Sequence, residues 1–133
     1  MKVVYKGKCL KVVPDRVIVL YLDKEVFGHS KFYAHLIFYE YLHNEYRRSF
    51  VEMHFNVCDL LQKEAYIGGM FKKIGVTCPI FGEYRLMNMT IPTENFPYVV
   101  PFEKTRVDII VNATAPDADV MIYHAHVYCH FTK

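Results

Sequence analysis

The sequence predicts an all-β fold, a two-sheet immunoglobulin-like sandwich of about seven strands with one short helix. Three observations carry that expectation. Turn residues recur roughly every 10 to 15 positions between segments rich in Val, Ile, Tyr and Phe. Several of those segments alternate apolar and polar side chains with the period of two that a half-buried strand requires. One stretch, 59–74, breaks the rhythm and has no β-branched residue before Ile67.

Taken in order, residues near 3–13 and 16–22 read as strands separated by Pro14-Asp15. The Gly28-His29-Ser30 turn precedes a long strand near 31–43. There Phe32, Ala34, Leu36, Phe38 and Leu42 share one face, opposite Lys31, Tyr33, His35 and Tyr39. Asn44-Glu45 turns the chain into a strand near 47–57, where Val51, Met53, Phe55 and Val57 alternate with Glu52, His54 and Asn56. A helix is expected from Asp59 to Ala65, with Asn56 or Asp59 capping its start. A second helical stretch or loop follows, broken at Gly68-Gly69, and Gly75 and Pro79 mark the return to sheet. Strands near 83–91, 104–113 and 119–131 complete the seven.

With 133 residues and no linker, repeat or low-complexity stretch, residues 1–133 read as a single domain, expected to bury about two-thirds of its unfolded surface. An apolar fraction of 53% and an aromatic fraction of 16%, with eleven Tyr, ten Phe and no Trp, exclude disorder. They also supply more bulky side chains than a plain core needs, which suggests an aromatic-lined interior or a partner surface. The formal charge of +2 and the scattered Lys and Arg residues argue against a nucleic-acid partner. No apolar run approaches the ~20 residues of a membrane-spanning helix.

Four cysteines allow two disulfides or one four-ligand metal site, but no Cys-x-x-Cys pair supports zinc. Two bridges in an oxidising compartment are expected, with three pairings formally open. Sequons at Asn88-Met89-Thr90 and Asn112-Ala113-Thr114 are consistent with secretion. No apolar stretch of a signal peptide follows Met1-Lys2-Val3-Val4-Tyr5, so secretion implies a mature chain with its leader removed.

The motifs around the second and third cysteines are the most specific in the chain. They are Cys58-Asp59-Leu60-Leu61, then Gly75-Val76-Thr77-Cys78-Pro79, then Gly82-Glu83-Tyr84-Arg85-Leu86. An apolar loop from Ile91 to Phe102 and paired strands after Thr105-Arg106 complete the series. In this order and spacing, from about Phe55 to the C-terminus, the chain resembles the ML lipid-recognition superfamily. More narrowly it is similar to the ganglioside activator protein and the insect CheB-like secreted proteins.

The resemblance implies a β-cup, two sheets splayed around an apolar cavity, with no catalytic site and no cofactor. It also implies bridges Cys58–Cys78 and Cys9–Cys129, closing loops of about 20 and about 120 residues worth roughly 3 and 5 kcal/mol in the chain-entropy model. The chain departs from the ganglioside activator in having fewer cysteines and a late final one.

The expected cavity lining is Leu36, Phe38, Met53, Phe55, Met87, Met89, Ile109, Val111, Tyr123 and Val127. A solid core would use the same positions, because alternation does not separate the two. The Met87 and Met89 pair suits ligands of variable shape. The segment 96–102, with Phe96 and Phe102 at its ends and prolines at 97 and 101, is expected either to plug the open end of the sandwich or to form a rim that touches membranes and admits ligand.

His124, His126 and His130 share a parity in one strand, so two imidazoles lie about 7 Å apart on one face. A solvated strand face is expected there rather than a metal site. Two Ser only, with no nucleophile elbow, phosphate loop or His-Glu-x-x-His motif, argue against an enzyme. The expected function is thus a secreted, non-catalytic carrier or presenter of a lipid or other apolar molecule, with a receptor or enzyme as further partner and a chemosensory role as one form of it. The alternative is an immunoglobulin-like extracellular interaction module with a filled core.

Overall fold

A computed structural model of the chain describes residues 6–13, 17–64, 66–86, 102–115 and 118–132. Among them lie seven strands, β1 (Lys6–Val13), β2 (Ile18–Leu22), β3 (Phe32–Leu42), β4 (Glu45–Asn56), β5 (Gly82–Leu86), β6 (Lys104–Ala113) and β7 (Val120–Thr132). Three short helices join them, α1 (Lys24–Phe27), α2 (Val57–Lys63) and α3 (Ile67–Lys73). The strands make two antiparallel sheets, one of five in the order β1-β7-β6-β3-β4 and one ribbon of two, β2-β5. This is the all-β, two-sheet architecture that turn rhythm and alternation predict. The β5 strand expected to reach residue 91 is described only as far as Leu86.

The five-stranded sheet has one dry face and one polar face. Phe32, Ala34, Leu36 and Phe38 of β3 point inward beside Val107, Ile109 and Val111 of β6, and all are buried. β7 adds Tyr123, Ala125, Val127, Cys129 and Phe131 to the same face. Thr105 is fully buried among them, and its hydroxyl donates to the Tyr39 carbonyl at 2.7 Å, so its polarity costs little. Leu42 shares the parity of the inward set but lies at the exposed β3–β4 hairpin, beyond the reach of the core.

Three register shifts adjust which side chains face inward. Between Cys9 and Lys11 of β1 one residue is inserted, so Cys9 and Val12 both reach the core side. Opposite Phe38, β4 carries Ser49, Phe50 and Val51. The Ser49 hydroxyl donates to the Phe38 carbonyl at 2.7 Å and accepts from the Val51 amide at 3.0 Å, while Phe50 is pushed out to 87% exposure. In β7 the shift opposite Val111 and Asn112 leaves Ile122 as the extra residue.

Helix α2 starts at Val57, two residues before the expected position. The reason is the cap: Asn56 Oδ1 accepts from the amides of Cys58 and Asp59 at 3.1 and 3.4 Å. Asp59, the other candidate cap, falls instead in the first turn, where its charge suits the helix dipole. Helix α3 runs through Gly68-Gly69 rather than breaking there. The Glu64 carboxylate accepts from the amides of Tyr66, Ile67 and Gly68 at 2.6, 2.5 and 3.0 Å, satisfying the donors that an N-terminus leaves open. Helix α1, which the sequence reading lacks, is a single turn capped by Asp23 on the Glu25 amide at 2.8 Å.

Both disulfides implied by the resemblance are formed. Cys58–Cys78 ties the start of α2 to the segment entering β5, and Cys9–Cys129 joins directly paired residues of β1 and β7. The sequon at Asn112 lies within β6, with Thr114 accepting from the Lys31 amide at 2.8 Å through its hydroxyl. The sequon at Asn88 lies outside the described residues.

The α2–α3 contact makes a paired prediction. A Cβ at Gly68 would sit 2.4 Å from the Leu60 carbonyl oxygen, whereas one at Gly69 meets nothing within 4 Å. Gly68→Ala is expected to destabilise by about 1–3 kcal/mol in urea unfolding. Gly69→Ala should be neutral or stabilising by up to about 1 kcal/mol from helix propensity. Equal stability of the two variants would mean that the helices do not meet as described.

Candidate functional site

A hollow lies between the β2–β5 ribbon and one end of the five-stranded sheet. The ribbon contributes Leu20, Leu22, Tyr84 and Leu86, and the large sheet contributes Phe32, Val111, Ile122 and Tyr123. Val57 of α2 and Phe71 of α3 close one flank, with Ile74, Val76 and Ile80 from the segment between α3 and β5. Every lining residue is Leu, Ile, Val, Phe or Tyr, and burial pushes the Tyr123 phenol above its ordinary pKa. The space is about 40 Å³. Room for a few waters is what that volume represents, whereas pockets for drug-sized ligands run to about 300–1,000 Å³.

The structure divides the expected lining set. Val111 and Tyr123 border the hollow. Leu36, Phe38, Ile109 and Val127 are fully buried in the core and are not part of its wall. Met53 and Phe55 are half-buried on β4, packed against that core. Phe102 is buried rather than standing on an exposed rim, and it borders a second recess of about 230 Å³ with Glu40, Tyr41, Glu103 and Lys104. Met87, Met89 and Phe96 lie outside the described residues. The walls contributed by β2, β5 and the helices are absent from the sequence reading. Alternation in β2 (Ile18, Leu20, Leu22) and in β5 (Tyr84, Leu86) carries the signal that would have found part of them.

The opposite, polar face of the large sheet concentrates the titratable groups. Asp108 of β6 lies directly across from His126 of β7, and His126 Nδ1 is 2.5 Å from Asp108 Oδ1. His124 Nε2 is 3.8 Å from Asp108 Oδ2, so the carboxylate faces two imidazoles. Arg106 holds the same carboxylate through Nε at 3.0 Å and Nη2 at 3.5 Å, and its guanidinium lies 4.0 Å from the centre of the Tyr39 ring. The histidine parity of β7 is therefore on the polar face, as expected. Asp108 is the member that sequence reading missed.

On β3 and β4 a second pair, His35 and His54, meets Nδ1 to Nδ1 at 2.6 Å. Burial lowers the His35 pKa first, the neighbouring His54 adds to this, and Glu52 opposes it. Hydrogen bonds from Arg48 and His54 hold the Glu52 carboxyl below its usual range. Tyr46 is raised, mainly by burial and further by Tyr128 and Tyr41, whose rings lie 5.3 and 5.0 Å away. No family model matches the sequence, and neither a curated protein nor a solved structure does. The likeness to the ML superfamily accordingly rests on its motifs alone.

The histidine pair gives a pH prediction. Because folding lowers the His35 pKa, the unfolded chain takes up that proton first as pH falls below about 6.5. The stability tied to His35 is therefore present above that value and lost below it. In NMR titration His35 should show a midpoint under about 6.5. His54→Gln should raise it only part of the way, since burial is the larger cause. A His35 midpoint at or above the ordinary imidazole value contradicts the described pairing.

Proposed function

We propose that the protein is a secreted, non-catalytic binding protein that takes an apolar ligand, such as a lipid acyl chain, between the β2–β5 ribbon and the five-stranded sheet. The observation that carries this reading is the wall of the hollow, which is apolar on every side. Among the described residues the ribbon pairs with no strand of the large sheet and meets it through side chains. Moving it outward thus breaks no ladder hydrogen bond there.

That freedom is needed, since about 40 Å³ does not hold an acyl chain. Ligand entry would widen the gap, with each added Å² of buried apolar surface contributing about 25 cal/mol. Two disulfides in a small β-protein fit an oxidising compartment. The ML-like motifs favour lipid transfer or chemosensory presentation as the setting, with transient membrane contact through the 96–102 segment.

The tightness of the interior favours a second reading, an immunoglobulin-like extracellular interaction module with a filled core. In that case the polar sheet face, with Tyr39, Tyr46, Tyr128 and Arg106, would be the contact surface.

Native mass spectrometry of delipidated protein mixed with oleate separates the two. The carrier reading expects a one-to-one complex. It also expects Val111→Phe, which fills the hollow, to weaken uptake about tenfold, a loss near 1.4 kcal/mol, while circular dichroism stays unchanged. No uptake by the native protein removes the carrier and leaves the interaction module. Uptake undiminished by Val111→Phe places the ligand elsewhere.

A further inference from the structure

We propose that Asp108, His124 and His126 form a three-ligand site for a divalent first-row transition metal of the Zn²⁺ class, on the polar face of the five-stranded sheet. Their ligand atoms, one per residue, already lie within 4.8 Å of one another. The arrangement follows from strand geometry. His124 and His126 are two apart on β7 and project on the same side, and Asp108 is the directly paired residue on β6.

The distances fit a metal after rotation of the two imidazoles. With metal–ligand bonds of about 2.0–2.2 Å, tetrahedral geometry sets neighbouring ligand atoms about 3.3 Å apart. His126 Nδ1 stands 2.5 Å from Asp108 Oδ1 and His124 Nε2 stands 3.8 Å from Oδ2, so seating an ion must open the first distance and close the second. Rotations of the two imidazoles must bring ligand atoms now as much as 4.8 Å apart to that spacing, a change on the order of 1–2 Å.

The carboxylate is held for the purpose. Asp108 is 7% exposed in its side chain, and Arg106 fixes both of its oxygens from one side. Each carboxylate oxygen has two lone pairs, so one on each remains for the imidazole side. Such an outer partner orients a ligand and tunes the metal, which makes Arg106 a positioning residue.

The donor set selects the metal. Two imidazoles and one carboxylate suit Zn²⁺, Co²⁺, Ni²⁺ and Cu²⁺, whereas Ca²⁺ and Mg²⁺ prefer oxygen ligands throughout. All four cysteines are in disulfides, so no thiolate competes. The His124 and His126 side chains are 37% and 33% exposed, which leaves the fourth position open to water or to a donor from another molecule. The ion would link β6 to β7 across the sheet, independently of the apolar hollow on the other face.

Isothermal titration of the intact, disulfide-bonded protein with ZnCl₂ tests this, with Co²⁺ absorption as a report on geometry. One equivalent of Zn²⁺ should bind, with the intense visible bands of tetrahedral Co²⁺, and excess Mg²⁺ should not displace it. Asp108→Asn, His124→Gln and His126→Gln should each weaken binding by at least the 10- to 100-fold typical of losing even an outer partner. His130→Gln should leave it unchanged. Because Asp108→Asn can unsettle a buried ion pair, the half-exposed His124→Gln variant decides the matter. Absence of Zn²⁺ uptake at millimolar concentration, or uptake undiminished by His124→Gln, overturns the site.

Discussion

Everything in the structure depends on covering the inward face of β3 and β6. Leu36, Phe38, Val107 and Ile109 are at most 1% exposed, and each large apolar side chain so buried is worth about 1.5–3 kcal/mol. Net stabilities of domains are only about 5–15 kcal/mol, so leaving a few of these side chains wet would unfold the protein. The two-stranded ribbon and the α2–α3 pair supply part of that cover, over Phe32, Val111 and Tyr123. Their own elements are short: five residues in each ribbon strand and seven in each of the two helices. Neither would persist alone, since an isolated two-stranded ribbon or a two-turn helix is marginal in water.

The division of labour between the faces follows from the same constraint. One side of the large sheet is committed to packing, which leaves the other free to collect His, Asp, Arg and Tyr. Cross-strand neighbours there meet in rows: Tyr128, Arg106, Tyr39 and Arg48 in one, His126, Asp108, Ile37 and Glu52 in the next. The third row sets His124, Ile110, His35 and His54 side by side. Burial of Asp108 on a face that is otherwise partly wet is tolerated because Arg106 and His126 satisfy it.

Much of the fold was legible because it depends on local alternation. The strand near 104–113 has the bounds the sequence suggests, and the inward set of β3 is read correctly from Phe32 to Phe38. What failed to show was whatever depends on register. Ile122 has the parity of the histidines, yet the β7 irregularity turns it toward the hollow. Asp108 sits in the run Val107-Asp108-Ile109-Ile110, where it reads as an isolated polar residue. Only the pairing of β6 with β7 brings it to His126, and that pairing is set by how the chain turns between them. Much of the hollow's wall was illegible for a related reason. Its far wall comes from β2, β5 and the helices, whose position over the large sheet no period-two pattern encodes.

The covalent bond between Cys9 and Cys129 has a mechanical consequence. Lys6 and Thr132 lie side by side in neighbouring, oppositely directed strands, a few residues outside that bond. Tension applied through those two residues would peel apart only the short stretch up to the sulfurs and then stop. The intervening chain forms a closed ring that bears no load, so the protein would withstand tugging at its ends until a reductant cut the ring.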